Sequence, residues 1–530
     1  MLFPAQIKNV SYSYSSVTPY APSLLEGHLP LQGKTFNEET QLTDKPKLTT
    51  PHERILPMVF SSTIFLFGFL PLSLLIYYIM PLKGRNLALF LLSMVFYGFG
   101  EPTYILVMLF SITVAYLTGF PIGKYRESNP KRAKFWLILS VCLNLAMLLF
   151  FKYTNFFIEN LALIPPLSGV LEPIEGLTLP IGISFYTFQI MSYSIDLYRG
   201  ATDTQRNYIS FGAYVALFPQ LIAGPIVRYR DVDDQLMTRE HSVDKFASGV
   251  SRFTVGFAKK ILLGDSLAAI YAYLGTVYAA EPSVLTAWLM VLTYTLHIYF
   301  DFSGYSDMAI GLGRMLGFEF LENFNYPYLA SSITDFWRRW HISLSSWFRE
   351  YVYIPLGGNR KGLPRQFFNM GVVWLLTGFW HGASWNFVLW GVFYFVFLAL
   401  EKAFLLKWFE KNTVTRALGH IWALVLVGIG WMIFDHTDLS EAFAIMGGML
   451  GIGTVGFTSA TVSYELLRIL PLLAVSVVAA TPYPARLMAK LEEKAPRAAI
   501  LRPILIGLAL LISVAYMVSG TFSPFLYYIF

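Results

Sequence analysis

From Met58 to the C-terminus the chain alternates long apolar runs with short polar joints. A helix needs about 20 apolar residues to cross a bilayer, and MVFSSTIFLFGFLPLSLLIYYIM, residues 58–80, meets that length. Comparable runs recur at 134–158, 178–196, 208–227, 247–275, 284–300, 366–381, 384–404, 417–434, 441–457, 462–480 and 499–519. The pattern predicts an all-α polytopic membrane protein, one helical domain over 58–530. Three stretches are short or broken by Gly and Pro: LPIGISFY, FPQLIAGPIV and YFDFSGYSDMAIGLGRMLG. Irregular backbone survives in hydrocarbon only where protein or a cavity covers it, so these stretches predict re-entrant or tilted elements around an internal cavity.

Residues 1–57 break the pattern, being polar and rich in Ser, Thr and Pro (SYSYSSVTPYAPS, TFNEETQLTDKPKLTTP). They lack the basic region and apolar core of a signal peptide and the patterning of a packed domain. A disordered extension is expected there, or a start at Met58.

Composition sharpens the membrane reading, with 55% apolar and only 14% charged residues, where a soluble domain carries roughly 25% charged. The net charge of +6 comes from Lys and Arg in short joints between apolar runs, which marks cytoplasmic loops rather than a nucleic-acid surface. Lys83 and Arg85 follow the first run, Glu101 and Pro102 the second, and Lys124, Arg126, Lys131, Arg132 and Lys134 the third. Positive loops stay inside, so the hairpin at Glu101 faces out. The last basic loop, 482–502, then sends the C-terminal FLYYIF outward. Cys142 is the sole cysteine, which excludes an intrachain disulfide and a thiolate metal site.

Candidate chemistry concentrates in ITDFWRRWHISLSSWFREYVYIPLGGNRKG, 333–362, and GFWHGASWNF, 378–387. As one helix at about 100° per residue, 336–351 would put Phe336, Trp337, Trp340, Leu344, Trp347, Phe348 and Tyr351 on one face. Arg338, Arg339, Arg349 and Glu350 fall opposite, with His341 at the edge. Such a helix fits the membrane interface, and equally the wall of a cavity for an anionic substrate, where Arg pairs with phosphate. His381 ends an apolar run, where an imidazole needs a partner or a task. It is either a satisfied core histidine or a base able to take a proton from a thiol or hydroxyl. Zinc is disfavoured: 40 residues separate His341 from His381 and no HExxH is present. Asp301 and Asp307, beside apolar runs, predict structural pairing, and GLGRMLG fails the dinucleotide spacing.

In this order, MVFSSTIFLFGFLPL, LPIGISFYTFQIMSYSIDLYRG, FPQLIAGPIVRY, YFDFSGYSDMAIGLGRMLGFEFLENFNYPY, FWRRWHISLSSWFREYVYIPLGGNR and GFWHGASWNF closely resemble the membrane-bound O-acyltransferase family. The resemblance covers 58–530 and favours Met58 as the start. It implies helices tilted around a central tunnel that passes an acyl group from a cytoplasmic donor, expected to be acetyl-CoA as substrate, to an extracytoplasmic polysaccharide such as alginate. His381 maps onto the family's general base and His341 onto its second histidine. The terminal FLYYIF resembles an FxYFxF motif whose tyrosine relays the acyl group, which maps onto Tyr527, with Tyr528 replacing a phenylalanine. Arg338, Arg339 and Arg349 are expected to recognise the donor, and Trp337, Trp380 and Asn386 complete the binding set. Expected partners are membrane lipid and a secreted or membrane-anchored serine-type acetyltransferase, and the expected location is the bacterial cytoplasmic (inner) membrane. Rival readings keep the fold but acylate peptidoglycan or transfer D-alanine to teichoic acid. A transporter would require inverted repeats, which the sequence lacks.

Overall fold

The computed structural model describes residues 58–520 apart from Ser168. The expectations for residues 1–57 and for Tyr527 and Tyr528 fall outside the described residues. Among these there is no β-strand, only an isolated bridge from Ser283 to Gly456. The helices that matter here are α1 Ile64–Ile79, α2 Arg85–Gly100, α3 Ile105–Tyr125, α4 Pro130–Ala162, α5 Ile183–Arg199, α6 Tyr208–Val215, α7 Phe218–Leu221, α8 Val243–Ala280 and α9 Val284–Met315. They continue as α10 Ile333–Arg339, α11 Ile342–Phe348, α12 Leu363–His381, α13 Trp385–Phe409, α14 Thr413–Asp435, α15 Leu439–Met449, α16 Ala460–Ala479, α17 Tyr483–Lys494 and α18 Leu501–Ser519. Eight of the described helices, α3, α4, α8, α9, α13, α14, α16 and α18, are long and apolar enough to cross a membrane. The chain is a multi-pass membrane protein.

The structure bears out one of the predicted breaks and corrects another. FPQLIAGPIV holds only the four residues of α7 before the chain continues without regular structure, all of it to Val227 buried as irregular membrane backbone must be. YFDFSGYSDMAIGLGRM, by contrast, is the second half of one continuous 32-residue helix, α9. Its glycines are contact points rather than breaks. A Cβ on Gly304 would lie 2.7 Å from Gly256 O, and one on Gly311 2.6 Å from Gly249 O, so α8 and α9 touch backbone to backbone, the arrangement small residues permit in membranes. The carboxylates of α9 brace the same seam. Asp307 pairs with Arg252 and Lys259, each at 2.7 Å, and Asp301 with Lys260 at 2.8 Å. The run expected over 441–457 is also shorter than predicted: α15 stops at Met449, and Gly451 and Gly453 adopt left-handed backbone that ends it.

The core that positions the site is the hairpin α12–α13, with α14 against α13 and the short α10 packed on both α13 and α14. Gly378 and Gly391 let the two arms of the hairpin meet: their Cα atoms face each other, and a Cβ on Gly391 would lie 2.5 Å from Trp374 O.

Candidate active site

The predicted 336–351 helix is not continuous. α10 ends at Arg339, Trp340 is extended, and His341 takes left-handed backbone at φ 45°, ψ 54° before α11 begins. A non-glycine residue there is uncommon and strained by about 1–2 kcal/mol, so neighbouring contacts must hold it. Asn323 does so. Its carbonyl O accepts from Ile342 N (3.0 Å), and its Oδ1 accepts from Ser343 N (3.1 Å), Ser343 Oγ (2.9 Å) and His341 Nδ1 (3.2 Å). Because the Ser343 N–H identifies that amide atom as oxygen, the imidazole donates from Nδ1 and keeps its lone pair on Nε2. Of the apolar set inferred from spacing, Phe336, Trp340, Leu344, Trp347, Phe348 and Tyr351 are buried and Trp337 is half-buried, but against protein, not as an interfacial face.

The N-terminus of α10 is fastened twice. Ser332 Oγ accepts from Asp335 N at 3.0 Å, an ordinary N-cap. The fully buried Glu401 carboxylate, reaching from α13, accepts from Ile333 N (2.6 Å), Thr334 N (2.8 Å), Thr334 Oγ1 (2.7 Å) and Trp422 Nε1 (3.1 Å).

His381 is the last residue of α12 and is buried. Its ring meets Trp380, Trp390 and Phe434 edge-on, with centroids 4.9, 5.0 and 5.1 Å away. Two cavities are lined by this residue. The larger, about 300 Å³, is lined by Trp337, Arg338, His341, Arg349, Trp374 and His381 among others. The smaller, about 40 Å³, is lined by Lys152, residues 179–185, Ile222, Trp380 and His381. The larger is thus an aromatic chamber with two histidines in its wall and two exposed guanidiniums, Arg338 and Arg349, neither in an ion pair among the described residues. The adjacent Glu350 does not cancel them. Burial would raise its carboxyl, but Arg228 (2.7 Å) and Arg230 outweigh that and hold it below its ordinary value.

Not every predicted residue belongs to this arrangement. Trp337, Arg338, Arg349, His341 and His381 share the larger cavity, and Trp380 lines the smaller. Arg339 lines neither and pairs with Asp335 at 3.0 Å. Asn386 also lines neither: it is buried, and its Nδ2 donates to Ile433 O (3.3 Å) and Phe434 O (3.0 Å), tying α13 to the end of α14. No group of metal-ligating side chains is present among the described residues. Chemically, a neutral imidazole on a residue that borders both cavities can accept a proton from a hydroxyl or thiol, and exposed guanidiniums suit phosphate.

Residues 183–434 match the family model of MBOAT, the membrane-bound O-acyltransferase family. The chain is 46% identical over 398 residues to "Probable alginate O-acetylase AlgI" of Azotobacter vinelandii, covering 75% of this chain and 79% of that protein. The chain belongs to the membrane-bound O-acyltransferase family. It is 34% identical over 435 residues to "Peptidoglycan O-acetyltransferase" of Helicobacter pylori (76% of this chain, 81% of that one). It is 28% identical over 279 residues to "Teichoic acid D-alanyltransferase" of Bacillus subtilis (50% and 70%). It is therefore an acyltransferase, and the matched segment carries both histidines, Asn323 and Glu401.

Three residues of this O-acyltransferase site escaped sequence reasoning: Asn323, Glu401 and Lys152. Lys152 alone left a usable signal, as the only basic residue between Lys134 and Arg199, inside the apolar run FFKYTNFF. Lys152 Nζ donates to the carbonyl oxygens of Trp380 and His381, the latter at 3.1 Å.

Proposed function

We propose that this membrane-bound O-acyltransferase carries an acetyl group from acetyl-CoA on the cytoplasmic side of the bacterial inner membrane to an extracytoplasmic polysaccharide such as alginate. The observation that carries the reading is that His381 forms a wall of both cavities. The donor's phosphates cannot enter hydrocarbon, so Arg338 and Arg349 hold them at the mouth while the thioester end lies in the aromatic chamber, whose volume of about 300 Å³ suits a small-molecule arm. His381 takes the proton of the incoming hydroxyl as that oxygen attacks the acyl carbon, then returns it to the departing thiolate. His341, its Nδ1–H held by Asn323, orients the reacting groups. Tyr527, on a C-terminus that the loop charges favour placing outside, is the first acceptor. From it the acetyl passes to a secreted or membrane-anchored serine-type partner or directly to sugar hydroxyls.

Alginate is favoured over the peptidoglycan and teichoic acid readings by the higher identity to the alginate relative. Mass spectrometry of cell-surface polymers from a deletion strain and its complements tests this: the ester that vanishes and returns names the polymer. His381→Ala abolishes that ester at unchanged protein level, and Tyr527→Phe nearly so. Full ester content with His381→Ala would refute the catalytic assignment.

A further inference from the structure

We propose that the ammonium of Lys152 stabilises the oxyanion formed on the acyl carbonyl during transfer, from the wall of the small cavity it shares with His381. The inference rests on the reading of His381 as the base and adds the electrophilic half of the site. A charged side chain in an apolar span is costly unless it is engaged, and Lys152 sits in the last third of α4, a helix with the length and hydropathy of a membrane span. Its Nζ is fixed by the carbonyl oxygens of Trp380 and His381 and stands 3.5 Å from Ser184 Oγ. Those carbonyls end α12, and the negative end of a helix dipole holds a cation well. The ammonium is thereby anchored to the backbone of the histidine itself, and Lys152 and His381 line one chamber. Lysine is not required merely to cap two carbonyls, since a neutral amide donor does the same. A capping role alone does not call for a side chain able to carry charge.

The chamber's volume of about 40 Å³ is room for a few water-sized groups, the scale of a small acyl group. In the step proposed, the acceptor oxygen bonds to the acyl carbon, the C=O π pair moves onto oxygen beside Lys152, and His381 takes the hydroxyl proton. The C–S bond then breaks, its electron pair leaves on sulfur, and the thiolate recovers the proton from His381. Lys152 gains and loses no proton; it lowers the energy of the intermediate because its charge is already in place.

The test uses membranes from a deletion strain expressing the full chain, with radiolabelled acetyl-CoA as donor and label on the polymer as readout. Initial rates are taken over donor concentration and the melting temperature of each variant is measured. Lys152→Gln keeps hydrogen-bond donors for both carbonyls but removes the charge; Lys152→Arg keeps the charge; Lys152→Met keeps neither. Gln and Met should lower kcat by about 10²–10³-fold with donor KM within twofold, while Arg retains at least tenfold more activity than Gln and Gln melts with the wild type. Wild-type kcat in Lys152→Gln, equal activity of Gln and Arg, or losses that track melting temperature across all three would overturn the proposal in favour of a clamp on α12. Inactive His381→Ala beside fully active Lys152→Gln sinks this inference alone, whereas active His381→Ala sinks the reading beneath it.

Discussion

Replacing Glu401 tests whether the wall of the larger cavity is held from outside the chemistry. Its Oε1 accepts from Ile333 N and Trp422 Nε1, and its Oε2 from Thr334 N and Thr334 Oγ1. In Glu401→Gln the amide oxygen can keep the first two partners. The NH₂ then faces Thr334, whose hydroxyl can turn to accept but whose backbone N–H cannot. One buried N–H left unpaired costs about 1–3 kcal/mol, and losing the charge assistance of the remaining bonds about 1 kcal/mol more, so about 2–4 kcal/mol is expected. Glu401→Ala strands the N–H groups of Ile333, Thr334 and Trp422 together, about 3–9 kcal/mol on the same scale, partly offset because no carboxylate is then buried. The order of melting temperatures should be wild type, Gln, Ala. Since α10 carries Trp337 and Arg338 while His381 sits on α12, Glu401→Gln should raise donor KM more than it lowers kcat. A Gln variant that melts with the wild type at unchanged KM, or one that loses kcat alone, would refute the reasoning.

Asn323→Ala removes the acceptor of three hydrogen bonds around His341, and loss of about 1.4 kcal/mol of positioning is tenfold in rate; kcat should fall about tenfold or more, read from acetyl transfer at saturating donor. Arg338→Ala and Arg349→Ala should each raise donor KM by about ten- to a hundredfold, from about 1.5–3 kcal/mol per charged hydrogen bond, whereas Arg339→Ala, whose guanidinium pairs with Asp335, should leave KM within about threefold. Glu350, held below its ordinary value, gives stability that is present at neutral pH and lost as pH falls through that depressed value. Melting curves between neutral and acid pH should therefore show a limb that Glu350→Gln flattens, and identical pH profiles would contradict the assignment.

What could be read from the sequence divides along a physical line. Apolar length is a local property, so most membrane helices were legible; spacing along 336–351 marked the apolar side chains but not the break at Trp340–His341 or the protein that covers them. Glycine was ambiguous because its meaning depends on what lies opposite: in α9 the residues Gly304 and Gly311 look like breaks until α8 is brought within contact distance. The same limit separated Arg338 from Arg339. Adjacent and chemically identical, they are told apart only by Asp335, one turn back, capturing the second. Asn386 stands in a block rich in candidate residues, yet its partners are carbonyls of α14 some fifty residues away, which no local pattern announces.

The kink at His341 explains why the site needs anchors remote from it. A continuous helix through 333–351 would have been held by its own backbone ladder, and its polar face would have turned to the interface. The left-handed turn interrupts that ladder and leaves the seven residues of α10 on one side and, on the other, α11 with its π-helical continuation to Tyr353, both too short to be stable alone. Their geometry therefore passes to tertiary contacts: Glu401 grips the start of α10, and Asn323 grips the turn and the start of α11. Between those two clamps lie Trp337, Arg338 and His341, all on the larger cavity. The broken helix thus trades local stability for a wall whose position is set by α13 and by the segment after α9, and His381, which lines the same cavity, is fixed independently by the α12–α13 glycine contact and by Lys152. The two histidines come together only when both sets of contacts are made, which ties the site to the completed fold of the membrane domain rather than to either motif.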